Sequence, residues 1–168
     1  HYERSGTFSV LPLASTGHEV TLALYRAPRS ARLGDGDVIS FAGDGTAAAY
    51  LGAGWSGQER YMRWTDGPSA TLLLPLTEGA AYQLRFELRA HNCVPAEVRV
   101  NGEVRTRWTF TDCNGYGERV VSVRPEDVPS GVQDDLTPRP VVIKFEIPQA
   151  KSPREVNPAS SDPRQLGL

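Results

Sequence analysis

Tyr82, Leu84, Phe86 and Leu88 alternate with Gln83, Arg85, Glu87 and Arg89, and this period of two constrains the fold more than any other feature. It puts the apolar side chains on one face of a strand and the polar ones on the other. Comparable short runs recur along the chain: Thr7–Leu13, Glu19–Tyr25, Val38–Phe41, Ala47–Leu51, Ala70–Leu76, Glu97–Val100, Val104–Phe110, Arg119–Val123 and Val141–Ile147. Turn-forming sequences separate them, at Ala27-Pro28, Gly34-Asp35-Gly36, Gly43-Asp44-Gly45, Asp66-Gly67-Pro68 and Asn114-Gly115. No segment carries a helical pattern longer than a turn or two. The expectation is an all-β chain, a two-sheet antiparallel β-sandwich that is jelly-roll-like.

A chain of 168 residues is long enough to bury one such core. Residues 1–150 are read as the sandwich. Residues 151–168, rich in proline, serine and asparagine, are read as an extended tail packed on it or leaving it. Hydrophobic residues make up 39% and charged residues 23%, with a formal net charge of -2, which argues against disorder and against a nucleic-acid partner. No apolar run reaches the ~20 residues that span a bilayer. A start at His1, without methionine or a signal-peptide pattern, reads as an excised domain or a processed product.

The two cysteines flank a hairpin signal, Asn101-Gly102 between β-forming residues. A strict two-residue loop mixes polar and apolar residues on each face. One extra residue pairs Val100 with Val104, Val98 with Thr106 and Ala96 with Trp108, and keeps one face apolar. That register sets Cys93 opposite Thr111, with Cys113 within reach if the strand ends bend. A Cys93–Cys113 disulfide is expected, and with it an oxidising compartment; the alternative is two free thiols.

Catalytic patterns are absent. There is no Gly-x-Ser-x-Gly elbow, no His-Glu-x-x-His, no P-loop and no dinucleotide fingerprint. His1, His18 and His91 are scattered, and a His18 or His91 base would need Asp112 or Asp44 brought to it by the fold. Glu59 and Asp66 are the acids to consider for glycoside cleavage, although solvated charge is the plainer account of both. No cofactor is expected. Gly34-Asp35-Gly36-Asp37 and Gly43-Asp44-Gly45-Thr46 have the composition of loops that wrap calcium, and equally that of ordinary turns.

Gly54-Trp55-Ser56-Gly57-Gln58-Glu59-Arg60-Tyr61-Met62-Arg63-Trp64-Thr65-Asp66-Gly67 concentrates flat aromatic faces and planar hydrogen-bonding groups between glycine turns. With Ala49–Ala53 before it and the apolar run Ala70–Leu76 after it, the segment resembles a β-sandwich module of bacterial cell-surface glycan machinery. Such modules are attached to membrane glycosyltransferases and phosphoglycerol-transferase-like proteins. Ser152–Val156 and Ser161–Leu168 resemble the module's ending, an Asp-x-Arg-x-Leu-Gly run that opens a last strand. Tyr61-Met62 departs from the aromatic or glycine that often precedes the Arg-Trp pair. The resemblance covers most of Val38–Leu168. It implies an extracytoplasmic, non-catalytic domain, with a membrane-embedded part of the same polypeptide or complex as its neighbour.

The candidate carbohydrate site follows from the same segment: Trp55, Gln58, Glu59, Tyr61, Arg63, Trp64 and Asp66. Trp55 or Tyr61 would stack on a sugar ring of a cell-surface glycan, while Arg63, Gln58, Glu59 and Asp66 bond its hydroxyls. Trp64, between strand residues, and Trp108, alternating with Val104, Thr106 and Phe110, fit the core better. Arg63 also fits a brace to Glu59 or Asp162, and Asp162 with Arg164 fits an internal clasp. The functional expectation is a carbohydrate-binding-like accessory domain. A purely structural or protein-interaction module is the alternative, and a small polysaccharide-active enzyme the third reading.

Overall fold

The alternating runs form two antiparallel sheets. In the computed structural model, which describes residues 32–34, 36–43, 45–113, 115–131 and 139–168, six strands follow in chain order. They are β1 (Ser69–Leu74), β2 (Tyr82–Leu88), β3 (Ala96–Val100), β4 (Glu103–Trp108), β5 (Gly117–Val123) and β6 (Val141–Glu146). One sheet has the order β1-β6-β3-β4 and the other pairs β2 with β5. The two sheets pack as an all-β sandwich. The runs Thr7–Leu13 and Glu19–Tyr25 lie outside the described residues.

Alternation decides which side chains meet. Ala70, Leu72 and Leu74 of β1 are buried together with Val98 and Val100 of β3 and with Val141, Ile143 and Phe145 of β6. Val121 and Val123 of β5 close the core from the other sheet. At the centre Phe145 meets Phe86 edge-on at 5.6 Å between ring centroids and Trp108 at 5.9 Å. Such aromatic pairs add about 0.5–1.5 kcal/mol each beyond the area they bury. On the outer face of the larger sheet, Arg99 bridges Glu97 and Glu146, which oppose each other across β3 and β6. Without that guanidinium, two like charges would face one another across the strands.

The β3–β4 hairpin keeps two of its three expected pairs, Ala96 with Trp108 and Val98 with Thr106. The third is corrected: Val100 faces Glu103, and Val104 lies opposite Arg99. The extra residue sits in β4 as a bulge rather than in the loop, because Asn101 and Gly102 both adopt positive φ (49° and 91°) and close a two-residue turn. Arg105, at the bulge, is turned onto the buried carboxylate of Asp127 and also meets Glu103 at 2.9 Å.

Two further strand expectations are overturned. Val38–Phe41 forms no strand, and Thr46–Ala49 within the Ala47–Leu51 run is a 3-10 turn. Ala47 N–H donates to the Ser40 carbonyl at 3.0 Å and Tyr50 N–H to Ala47 at 2.8 Å, so the backbone closes on itself. A run of alanines favours helical geometry, and it carries too little side chain to hold a sheet face. Leu51 alone keeps a bridge, to Leu72.

Cys93 and Cys113 are bonded, with their Cα atoms 4.7 Å apart. Asn92 and Cys93 take positive φ (54° and 52°), which supplies the bend needed at the end of the strand. The bond indicates an oxidising environment. Among the described residues no helix is long and apolar enough to cross a membrane.

Residues 151–168 pack back against the Gly54–Gly67 segment. A four-residue helix, α1 (Pro153–Val156), starts on a reciprocal cap between Ser152 and Glu155. Beyond it Leu166 bridges both Asp66 and Lys151, and Leu168 is buried in the core cluster.

Candidate functional site

The Gly54–Gly67 segment folds as a narrow loop whose two limbs join at Trp55 and Thr65. Gly54 makes this approach possible. Its φ is +85°, and a Cβ there would stand 1.9 Å from the Ser69 carbonyl oxygen. Asp66 N–H returns to the Gly54 carbonyl at 2.8 Å, and Ser56 N–H donates to the Trp64 carbonyl at 2.9 Å.

This geometry separates the expected site residues. The Trp55 indole donates to the Thr71 carbonyl at 2.7 Å, and its ring packs against Phe41 and Phe145 at 5.3 and 6.1 Å. It is wedged inward rather than presented as a free platform. Trp64 is 7% exposed, and His91 lies edge-on to it at 6.0 Å. Tyr61 is 69% exposed, with the Arg60 guanidinium 5.0 Å from its ring centre. Of the three aromatics in the segment, Tyr61 offers an open face.

Glu59 and Asp66 are engaged with the C-terminal segment. Glu59 accepts from Arg164 at 2.8 Å, and the Asp66 carboxylate accepts the Gln165 N–H at 2.9 Å. Arg164 is also gripped by Asp162, with its Nη2 at 2.6 Å from that carboxylate. The Arg164 guanidinium holds the Asp162 carboxyl at about 2, well below its ordinary value, and Asp162, then Glu59, raise Arg164 in return. The clasp expected between Asp162 and Arg164 is present, and its third member is Glu59; the alternative brace from Arg63 to Glu59 or Asp162 is not formed. Arg63 donates instead to Gln58 at 3.3 Å.

Between the inner faces of β1 and β2 lies a groove of about 1300 Å³. Leu84, Phe86 and Leu88 line it while only half-buried, with Leu72, Leu74 and Leu76 on the other side. Polar groups gather where Tyr61, Met62, Arg63, Arg89 and Tyr116 line the groove together with Trp64. Arg89 stacks over Trp64 at 4.8 Å and approaches Tyr116 at 5.8 Å. Its Nη2 meets the Met62 sulfur at 3.6 Å, and the Tyr116 hydroxyl points at the same atom from 3.8 Å. Arg89, Met62, Tyr116 and His91 were not singled out from sequence as parts of a ligand site. Arg89 continues an alternating strand and reads there as an outward-facing charge, and Tyr116 stands in no apolar pattern that points to the groove.

Three polar atoms at this end are buried without a hydrogen-bond partner: Arg63 Nε, Arg89 Nε and His91 Nε2. Leaving such a donor unmet costs about 1–3 kcal/mol. Burial, then the charge of Arg89, push His91 below its ordinary pKa against a weaker upward pull from Asp162, so its imidazole is neutral at pH 7. As a catalytic base His91 is poorly placed: its charged neighbours are Arg89 and Asp162, and its ring abuts Trp64. His1, His18 and Asp44 lie outside the described residues. Asp35 and Asp44, from the two calcium-like loops, do too. Asp37 accepts the Gly34 N–H at 2.8 Å, an ordinary turn contact, and among the described residues no three metal-ligating side chains converge.

No family model, curated protein or solved structure matches this chain.

Proposed function

We propose that the chain is a non-catalytic, glycan-binding accessory domain that works outside the cytoplasm beside a surface-glycan transferase. The observation that carries this reading is the polar end of the groove. There the exposed Tyr61 and Tyr116 rings stand beside Arg63 and Arg89, whose N–H groups are not fully used by the protein. Aromatic faces bind the apolar faces of sugar rings, and planar donors bind their hydroxyls. Glu59 and Asp66 act in this reading by holding the loop in place. The disulfide supports the compartment, and the resemblance of the Gly54–Gly67 and Ser161–Leu168 segments to transferase-attached modules supports the neighbour.

Affinity electrophoresis of the domain through gels containing arabinan, mannan or rhamnan tests the proposal. Retardation by at least one polymer is expected, at millimolar strength per ring, near -4 kcal/mol. Tyr61→Ala should weaken it while leaving the thermal transition in place, because the side chain is outside the core. Unretarded migration in every gel, and equally in gels carrying acidic polymers, would count against glycan binding. It would favour the second reading, a structural module whose half-buried Leu84–Phe86–Leu88 face packs on a partner chain.

A further inference from the structure

The polar end of the groove carries positive charge that the described carboxylates do not neutralise. Glu59 and Asp162 are spent on Arg164, and Asp66 on backbone. Arg63 is left with the neutral amide of Gln58, and Arg89 with two ring faces and a thioether, a weak acceptor. Arg105 makes the contrast: its Nε is also unpartnered, but its charge is met by Glu103 and Asp127. Guanidinium groups are planar forks that bind carboxylate and phosphate two bonds at a time, and they do so most strongly where water is partly excluded. Arg63 and Arg89 both line the groove beside Met62 and Trp64, each with a buried, unused Nε–H.

We infer that this site takes an anionic sugar unit. A carboxylate or phosphate carried on a glycan would dock between Arg63 and Arg89, with its ring against Tyr61. The inference rests on the glycan-binding reading above and narrows it from neutral to acidic polymers. His91 adds no charge at neutral pH, so the preference comes from the two arginines.

Calorimetry and affinity electrophoresis with matched polymers separate the possibilities. The probes are polygalacturonate and its carboxyl-reduced form, phosphomannan and its dephosphorylated form, and neutral arabinan. The acidic form of at least one pair should bind about 10-fold or more tightly than its neutral form, and less tightly as salt rises. Preference within the first pair assigns a carboxylate, and within the second a phosphate. Arg63→Gln and Arg89→Gln should each remove most of that preference, and Arg63→Lys should restore part of it. Among the described residues Arg63 stacks on no ring, so its variants report on binding even if loss of the Arg89–Trp64 stack loosens the fold. Equal binding of acidic and neutral forms, unchanged in Arg63→Gln, overturns the anionic assignment and leaves glycan binding standing. No binding of any polymer overturns both.

Discussion

Glu59 and Arg164 are 105 residues apart in the chain and meet at 2.8 Å. This contact ties the aromatic loop to the C-terminal segment, which holds the loop from outside through Arg164 and from inside through Leu166 and Leu168. The Thr65 N–H donates to the Leu168 carbonyl at 2.8 Å, and the Leu168 N–H to Thr65 Oγ1 at 2.9 Å. Positioning of Tyr61 and Arg63 therefore depends on residues far from the motif that contains them.

Arg164→Gln should release this clasp while leaving the apolar anchors in place. The side chain is one-third exposed, so the loss is discounted for solvent, and a fall in Tm of about 2–5 °C is expected. Hydrogen exchange should quicken at the backbone amides of Gly67 and Gln165, which bond between the two segments. Protection unchanged at both amides would show that the clasp does not hold the loop.

Asp162 makes stability depend on acid. Its folded pKa is about 2 against an ordinary 3.8, so the ionised form is favoured by folding. The contribution is complete above about pH 4 and drains away as pH falls toward 2. Glu146, lowered by Lys144 and then Arg99, and Glu155, lowered by its bonds to Ser152, add to the slope at low pH. The difference in Tm between wild type and Asp162→Asn isolates the one group: largest above pH 4 and shrinking toward pH 2. A difference that is constant from pH 6 to pH 2 would refute the assignment.

Gly54 and Gly167 sit where a side chain has no room. A Cβ on Gly54 meets the Ser69 carbonyl at 1.9 Å in a backbone with positive φ, and one on Gly167 meets Thr65 Oγ1 at 2.7 Å and Ile147 Cδ1 at 2.8 Å. Gly54→Ala should cost about 3 kcal/mol or more, because backbone rather than a movable side chain stands in the way. Gly57, with nothing within 4 Å, is the control: Gly57→Ala should lie within about 0.5 kcal/mol of wild type. Chemical denaturation of the two variants makes the comparison.

The sequence shows most clearly what periodicity encodes. β2 is visible because it alternates apolar and polar residues, β5 and β6 because they are short valine-rich runs, and the Asn101-Gly102 turn because few dipeptides close a hairpin so readily. Thr46–Ala49 is misread because alanine satisfies either geometry at the level of hydrophobicity, and the Ser40–Ala47 hydrogen bond that decides the matter is tertiary. The candidate site is half legible. The Gly54–Gly67 segment announces itself by composition, yet which of its aromatics faces outward depends on Thr71 receiving the Trp55 indole and on Arg89 covering Trp64. Nothing local in the sequence records either contact.

The Cys93–Cys113 bond closes a loop of 20 residues, and within that loop lies the whole β3–β4 hairpin. Closing a loop of this length stabilises by roughly 3 kcal/mol when the unfolded chain is compared with and without the link. For a domain of this size that corresponds to a Tm lower by about 6–12 °C on reduction. Tyr116, which meets Arg89 and Met62, lies three residues beyond Cys113, so a second, local consequence is expected. In Cys93→Ser/Cys113→Ser, calorimetry should record the lower Tm, and Tyr116 should become more accessible to nitration than in the oxidised protein. Trp64 should stay shielded in both, because Arg89 covers its ring face. A Tm unchanged on reduction would mean that the hairpin is held by its ladder and by Arg105–Asp127 alone. Unchanged Tyr116 reactivity would detach the disulfide from the site.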